Sequence, residues 1–208
     1  MRKLTIISLA SLCIAFLMLG SCSSPKPVKT IENLKAAITG ESTASAKYAA
    51  FAANALKEGL DTIAKMFVAT SKAESIHAAN HLAVLNKLGV KFTVQIEIFE
   101  VLTTKENLKA AIDGESYEFS TMYPGFIATA KEEKADGAVT SFTWANDTEK
   151  KHKDFYQKAI DVLNASNNEK GLPFVWAVCP KCGNTFSEGN IDENCPFCMT
   201  PKDKFLPF

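Results

Sequence analysis

The sequence has no surplus of charge. Its 23 Lys and Arg are balanced by 23 Asp and Glu, the formal net charge is zero, and the two signs are interspersed. That argues against the basic patch through which nucleic acid is usually bound, and no nucleic-acid partner is expected. Histidine is scarce, with only 3 in the chain. Glycine and proline, at 10 and 8, are unremarkable, and 47% apolar residues suffice for a core in one or two domains. Long hydrophobic runs are lacking except near the start. Leu4 to Leu19 is too short and too early for a comfortable membrane span. The 6 cysteines lack the scatter of a disulfide framework. Cys13 lies in the apolar run, Cys22 just after it, and the last four fall into two C-P-x-C pairs.

Arg2 and Lys3 precede the apolar run, which ends Leu19-Gly20-Ser21-Cys22. Basic residues, an apolar stretch and small residues before a cysteine resemble the export signal of bacterial lipoproteins. On that reading residues 1–21 are a signal peptide, and Cys22 is lipidated and becomes the new N-terminus; an ordinary secretory signal with an incidental Cys22 and an uncleaved anchor are the alternatives. Residues 22–30, with Pro25 and Pro27, tether the folded part to the membrane. The expected location is exported and membrane-anchored, on the periplasmic or cell-envelope face. Cys13 is discarded, and Cys22 is not a metal ligand.

Glu74 and His77 stand three residues apart, so on a helix they share one face. Ile63, Phe67, Val84 and Leu88 lie on that same stripe, which is the core-facing one. A buried carboxylate without a partner is costly, and a metal ion removes the cost. The pattern occurs again at Glu149 and His152, within the stripe Ala145, Glu149, His152, Tyr156, Ala159 and Leu163.

The repetition extends further. Glu32-Asn33-Leu34-Lys35-Ala36-Ala37-Ile38 recurs as Glu106-Asn107-Leu108-Lys109-Ala110-Ala111-Ile112, and each copy runs into Gly-Glu-Ser at Gly40 and Gly114. The Glu-x-x-His pairs follow at matching distances, with one residue of slippage. The chain is therefore a duplicated helix pair. Four helices are predicted: Ile31 to Leu56, Asp61 (as N-cap) to Leu88 with Gly89 as the stop, Lys105 to Lys134 with a bend at Met122-Tyr123-Pro124-Gly125, and Gly137 to Asn164. Between the second and third, Phe92, Val94, Ile96 and Ile98 alternate with polar residues, an extended signature. A long crossover there lets two antiparallel pairs close into one bundle.

Each half gives one lone Glu, Glu41 or Glu115, and one Glu-x-x-His. Such a set characterises ferritin-like di-iron and di-manganese bundles. Four carboxylates neutralise two divalent ions, and imidazoles complete the coordination while leaving positions open. Glu118, three residues after Glu115, is a seventh candidate, with a solvated-glutamate reading equally open on spacing alone. His81 has no counterpart in the duplicated frame and reads as a supporting or structural residue. Tyr48 and Tyr123, one or two turns past Glu41 and Glu115, fit either core packing or hydrogen bonding.

Gly171-Leu172-Pro173 ends the bundle. Cys179-Pro180-Lys181-Cys182 and Cys195-Pro196-Phe197-Cys198 then supply four thiolates suited to one tetrahedral Fe or Zn.

From Ile31 to the C-terminus the chain resembles a rubrerythrin. The motifs are Gly40-Glu41, Glu74-x-x-His77, Gly114-Glu115-Ser116-Tyr117-Glu118 with Met122-Tyr123-Pro124, Glu149-x-x-His152, and the rubredoxin-like Cys179, Cys182, Cys195 and Cys198. The resemblance implies a mainly α protein, a ferritin-like four-helix bundle (31–168) followed by a small rubredoxin-like β domain (172–208). It implies a non-haem di-iron peroxidase that reduces hydrogen peroxide to water and protects against oxidative stress. Electrons pass through a rubredoxin-like iron, usually that of the partner in a head-to-tail homodimer. Glu74 and Glu149 would bridge the irons, Glu41 would bind one, and Glu115 and His152 the other. Glu118 and His77 would exchange on the first iron, and Tyr48 and Tyr123 would hydrogen-bond near the site. Other functions considered are ferroxidase activity and a zinc-loaded, non-enzymatic protein. Two features depart from the family. Rubrerythrins are usually cytoplasmic, so an exported one leaves its electron donor unidentified. Asn184 follows Cys182-Gly183 where an aromatic residue is common.

Overall fold

The computed structural model describes residues 26–208. The expected signal peptide and lipidated Cys22 lie outside the described residues. Five α-helices carry the fold: α1 Val28–Lys57, α2 Asp61–Lys87, α3 Thr104–Tyr117, α4 Tyr123–Glu132 and α5 Asp136–Ser166. A π-helical turn, Glu118–Met122, joins α3 to α4, so the predicted third helix is present but broken. The break falls ahead of the expected Met122-to-Gly125 bend. Pro124 has no N–H to give Ser120, and a π-turn accommodates the interruption by widening the turn before it.

The same turn locates the one-residue slippage of the duplication. Glu41 and Glu115 are 74 positions apart, whereas Tyr48 and Tyr123, Glu74 and Glu149, and His77 and His152 are each 75 apart. The added residue therefore lies between Glu115 and Tyr123, where the helix is π.

Helix ends are held by carboxylates from distant parts of the chain. Asp61 is not the N-cap of α2; Leu60 is, and its side chain caps nothing. Glu169 instead accepts the Thr62 and Ile63 N–H groups at 2.9 and 3.0 Å. Glu133 does the same for Lys29 and Thr30 of α1. α3 has a local capping box between Thr103 and Glu106. Gly89, with φ +76°, ends α2 as expected, in a conformation that L side chains rarely adopt.

The crossover forms no strand. Residues 90–103 run without regular structure, no strand among the described residues pairs with them, and Ile96 and Ile98 are exposed. The bundle interior holds two apolar clusters. One contains Tyr48, Phe51, Phe67 and Tyr156, and the other Leu34, Ile38, Leu85, Tyr123 and Phe142.

The C-terminal tail is a three-stranded antiparallel sheet, β1 Trp176–Val178, β2 Thr185–Ser187 and β3 Leu206–Pro207, in the order β2-β1-β3. It folds back on its own bundle. Trp176 and Val178 join the first cluster, with Trp176 edge-on to Phe155 at 4.8 Å between centroids. The fold is thus mainly helical and ferritin-like, with a small rubredoxin-like sheet.

Candidate metal centres

All six residues of the duplicated set are buried on facing helices. Glu41 comes from α1, Glu74 and His77 from α2, Glu115 from α3, and Glu149 and His152 from α5. Their donor atoms converge in two groups. One is Glu41, Glu74, His77 and Glu149; the other is Glu74, Glu115, Glu149 and His152. Glu74 and Glu149 belong to both, and they are the positions the resemblance assigns to bridging.

The geometry is close to twofold. His77 Nδ1 lies 3.0 Å from both Glu74 Oε2 and Glu149 Oε1, and 3.7 Å from Glu41. His152 Nδ1 lies 2.9 Å from Glu74 Oε1, 3.0 Å from Glu149 Oε2 and 3.8 Å from Glu115. These contacts are not hydrogen bonds in good geometry. Both oxygens of Glu74 and Glu149, and Nδ1 of both histidines, are buried without a hydrogen-bond partner. Donor atoms about 3 Å apart are what two ligands at roughly 2.1 Å and a right angle on one ion produce. The residues fit a dinuclear metal centre.

Electrostatics lead to the same conclusion. Burial, then the charges of Glu74 and Glu149, push the Glu115 carboxyl well above its usual range. Burial and Glu74 also raise Glu149. Burial would lower His152, but Glu74 and Glu149 outweigh it and lift its pKa to about 9. Glu41 goes the other way. Burial would raise it, yet contacts with His77 and His81 pull it down to about 2. So many buried acids repel one another and hold protons, and two divalent cations would displace those protons.

Each tyrosine serves the opposite half. Tyr48 Oη donates to Glu115 at 2.7 Å, and Tyr123 Oη donates to Glu41. Spacing alone leaves packing and hydrogen bonding equally open; in the structure both tyrosines do both. His81 is not in either donor group. It contacts Ser141 Oγ at 2.7 Å and Tyr123 Oη at 3.1 Å, so it orients the tyrosine that orients Glu41. The matching position in the other half, 75 residues on, holds Tyr156 in place of a second histidine, and Tyr156 donates to Thr70. Glu118 opens the π-turn, half-buried and outside both groups, and desolvation together with Glu41, Glu149 and Glu74 raises its pKa. At the first position it is His77 that faces inward.

The four tail cysteines form a third group. Cys179 and Cys198 Sγ are 3.5 Å apart, and Cys182 and Cys195 Sγ 3.4 Å, far beyond a disulfide bond. Sulfurs about 3.8 Å apart surround a tetrahedral ion at roughly 2.3 Å, so these four fit one metal.

Sequence spacing did not reveal how the tail meets the bundle. His152 Nε2 lies 2.8 Å from Thr185 Oγ1 of β2, which leaves Nδ1 for the metal. Gly183, at φ +83°, sits so close to His77 that a Cβ there would be 2.4 Å from Nε2. Lys151 reaches Asn184 Oδ1 at 2.6 Å. A glycine after a cysteine knuckle is a visible signal; the partners of Thr185 and Lys151 are not.

The rubrerythrin family model matches residues 32–160. Nigerythrin of Nitratidesulfovibrio vulgaris is 38% identical over 180 residues, 86% of each chain. Rubrerythrin-2 of Clostridium acetobutylicum is 34% identical over 186 residues, covering 89% of this chain and 100% of the relative. The fully reduced, all-ferrous structure of nigerythrin is similar with a TM-score of 0.77 and 35% identity, over 92% of this chain and 91% of that one. Shared fold, duplicated donor set and four-cysteine tail agree: this chain belongs to the rubrerythrin family, oxidoreductases with a di-iron centre and a rubredoxin-like iron site.

Proposed function

We infer that this protein reduces hydrogen peroxide to water with electrons relayed through the iron of the four-cysteine site, and so protects its cell from oxidative stress. The observation that carries this reading is the meeting of the two centres within one chain, Thr185 on His152 and Gly183 on His77. A di-iron centre supplies the two electrons that cleave the O–O bond, and with two protons the products are two waters.

The chain's own residues do the rest. Glu41, Glu74, His77 and Glu149 would hold one iron, and Glu74, Glu115, Glu149 and His152 the other. The buried phenols of Tyr48 and Tyr123 hold protons toward Glu115 and Glu41, and the aromatic cluster around Tyr48 keeps bulk water out. Glu118, its carboxyl held above the usual range by desolvation and by the charges of Glu41, Glu149 and Glu74, is the residue the resemblance assigns to exchange with His77. Here the tail packs on its own bundle, so the relay runs within one chain. In the head-to-tail homodimer that the resemblance implies, the partner's tail would supply the same relay.

The N-terminal Leu19-Gly20-Ser21-Cys22 supports export and lipid anchoring, with the tether and the bundle-tail division as read above. Metabolic labelling with a fatty acid, in wild type and Cys22→Ser, tests the anchor. For the activity, reduced full-chain protein is mixed with peroxide or with oxygen and followed by visible absorption. Faster reoxidation by peroxide is expected. Faster reaction with oxygen would overturn the peroxidase reading and favour iron oxidation of the ferritin kind; a colourless, redox-silent protein would favour zinc.

A further inference from the structure

Asn184 occupies the place where the family more commonly has an aromatic residue, and the structure gives it a partner at each end of its amide. It is fully buried behind the Cys182 knuckle. Lys151 Nζ lies 2.6 Å from its Oδ1. An ammonium can only donate, so it must face the amide oxygen, and the NH₂ is turned the other way. There Nδ2 stands 3.6 Å from Cys195 Sγ. Lys151 is itself fixed. It donates to the Thr185 carbonyl at 3.1 Å, and its Nζ lies 4.8 and 5.5 Å from the ring centroids of Phe186 and Phe197. A half-buried charge among aromatic rings acts on nearby sulfur more strongly than one in open water.

We propose that Lys151 and Asn184 form a pair that raises the reduction potential of the iron held by the four tail cysteines. Lys151 aims the Asn184 amide at Cys195 and adds its own positive charge, and both favour the reduced site. On reduction, Fe(III) takes one electron, no bond breaks, and the four-thiolate site becomes more negative by one charge. An N–H···S bond and a nearby cation stabilise that added charge. Lys151 precedes the ligand His152 on α5, so the helix that builds the dinuclear centre also tunes the electron donor beside it. The inference rests on iron in the four-cysteine site and not on the reaction with peroxide.

The test is a redox titration of the iron-loaded full chain, followed by the visible absorption of the thiolate-bound iron. Asn184→Leu and Lys151→Met should each lower the midpoint. The expected change for Asn184→Leu is about tenfold in the oxidised-to-reduced ratio, about 59 mV for one electron. The double variant should fall by less than the sum, because Lys151 acts partly through Asn184. Lys151→Arg keeps the charge and the donors and should keep most of the potential. Resonance Raman should show the Fe–S stretch rising in both single variants. Unchanged midpoints and Fe–S frequencies, with the red spectrum retained, would overturn the proposal. If Asn184→Leu fails to load iron, Lys151→Met decides alone, since it alters none of the buried residues around the sulfurs; an unchanged midpoint there refutes the pair.

Discussion

His152 Nε2 and Thr185 Oγ1 are 2.8 Å apart, so a ligand of the bundle centre is anchored by a strand of the tail. The imidazole's other nitrogen, Nδ1, is thereby left facing Glu74 and Glu149. Thr185→Val keeps the shape and removes the partner. Metal affinity at the second position should fall about 10–100-fold, the usual cost of losing such support, while the cysteine site loads normally. Titration of metal-free protein with Fe(II) under anaerobic conditions measures this; an unchanged isotherm would mean the contact does not orient the ligand.

Glu149 serves both donor groups, whereas Glu41 serves one. Glu149→Ala should therefore lose the dinuclear centre as a whole and abolish peroxide turnover. Glu41→Ala should weaken one position. In both, metal analysis should still find one ion per chain in the tail. Two full-affinity irons in Glu149→Ala would contradict the shared-carboxylate reading.

Gly183 has two reasons to be glycine, φ +83° and the His77 ring where its Cβ would be. Gly183→Ala should cost about 1–3 kcal/mol and displace His77 as well. Gly189→Ala, at φ +79° with nothing within 4 Å, is the matched control that bears only the backbone cost. Thermal denaturation and iron binding separate the two effects. Equal losses in both variants would show that the His77 contact is soft.

Stability of the metal-free protein should fall as pH rises. His152 is lifted to about 9 and His77 is also raised, so the native state holds protons that the unfolded chain releases above about 6.5. Their contribution is complete below that unfolded value and is lost as pH rises through the native one. Glu115 and Glu149, also raised, act in the same sense from about 4.3 upward. Glu41, lowered to about 2, acts oppositely, and its contribution disappears only as pH falls toward that value. The melting temperature of metal-free protein should therefore drop between about pH 6 and 9. Iron loading should reverse the trend, because the metal binds the deprotonated ligands. A metal-free profile that rises with pH would show that the cluster does not retain its protons.

Much of this molecule was legible because it is written twice. The repeated Glu-Asn-Leu-Lys-Ala-Ala-Ile segment and the two Glu-x-x-His pairs fix four helix faces, and helical spacing turns a buried face into a donor list. What spacing could not carry depends on contacts between distant residues. Asp61 looked like a cap, but Glu169 holds that helix end from 107 residues away. The alternation at Phe92 to Ile98 looked like a strand, but no second strand among the described residues comes to pair with it. Thr185, Lys151 and Asn184 have no periodicity that announces them. They matter because the tail folds back onto α5.

The π-turn has a wider meaning. A perfectly doubled chain would build two interchangeable metal positions, and a reagent arriving between them would meet no front and no back. Between Glu115 and Tyr123 the second copy carries one residue more than the first. With it comes Glu118, whose places in the first copy hold only Thr43 or Ala44. The second copy carries an additional carboxylate next to the centre and the first does not, so a single added amino acid makes the two halves unequal.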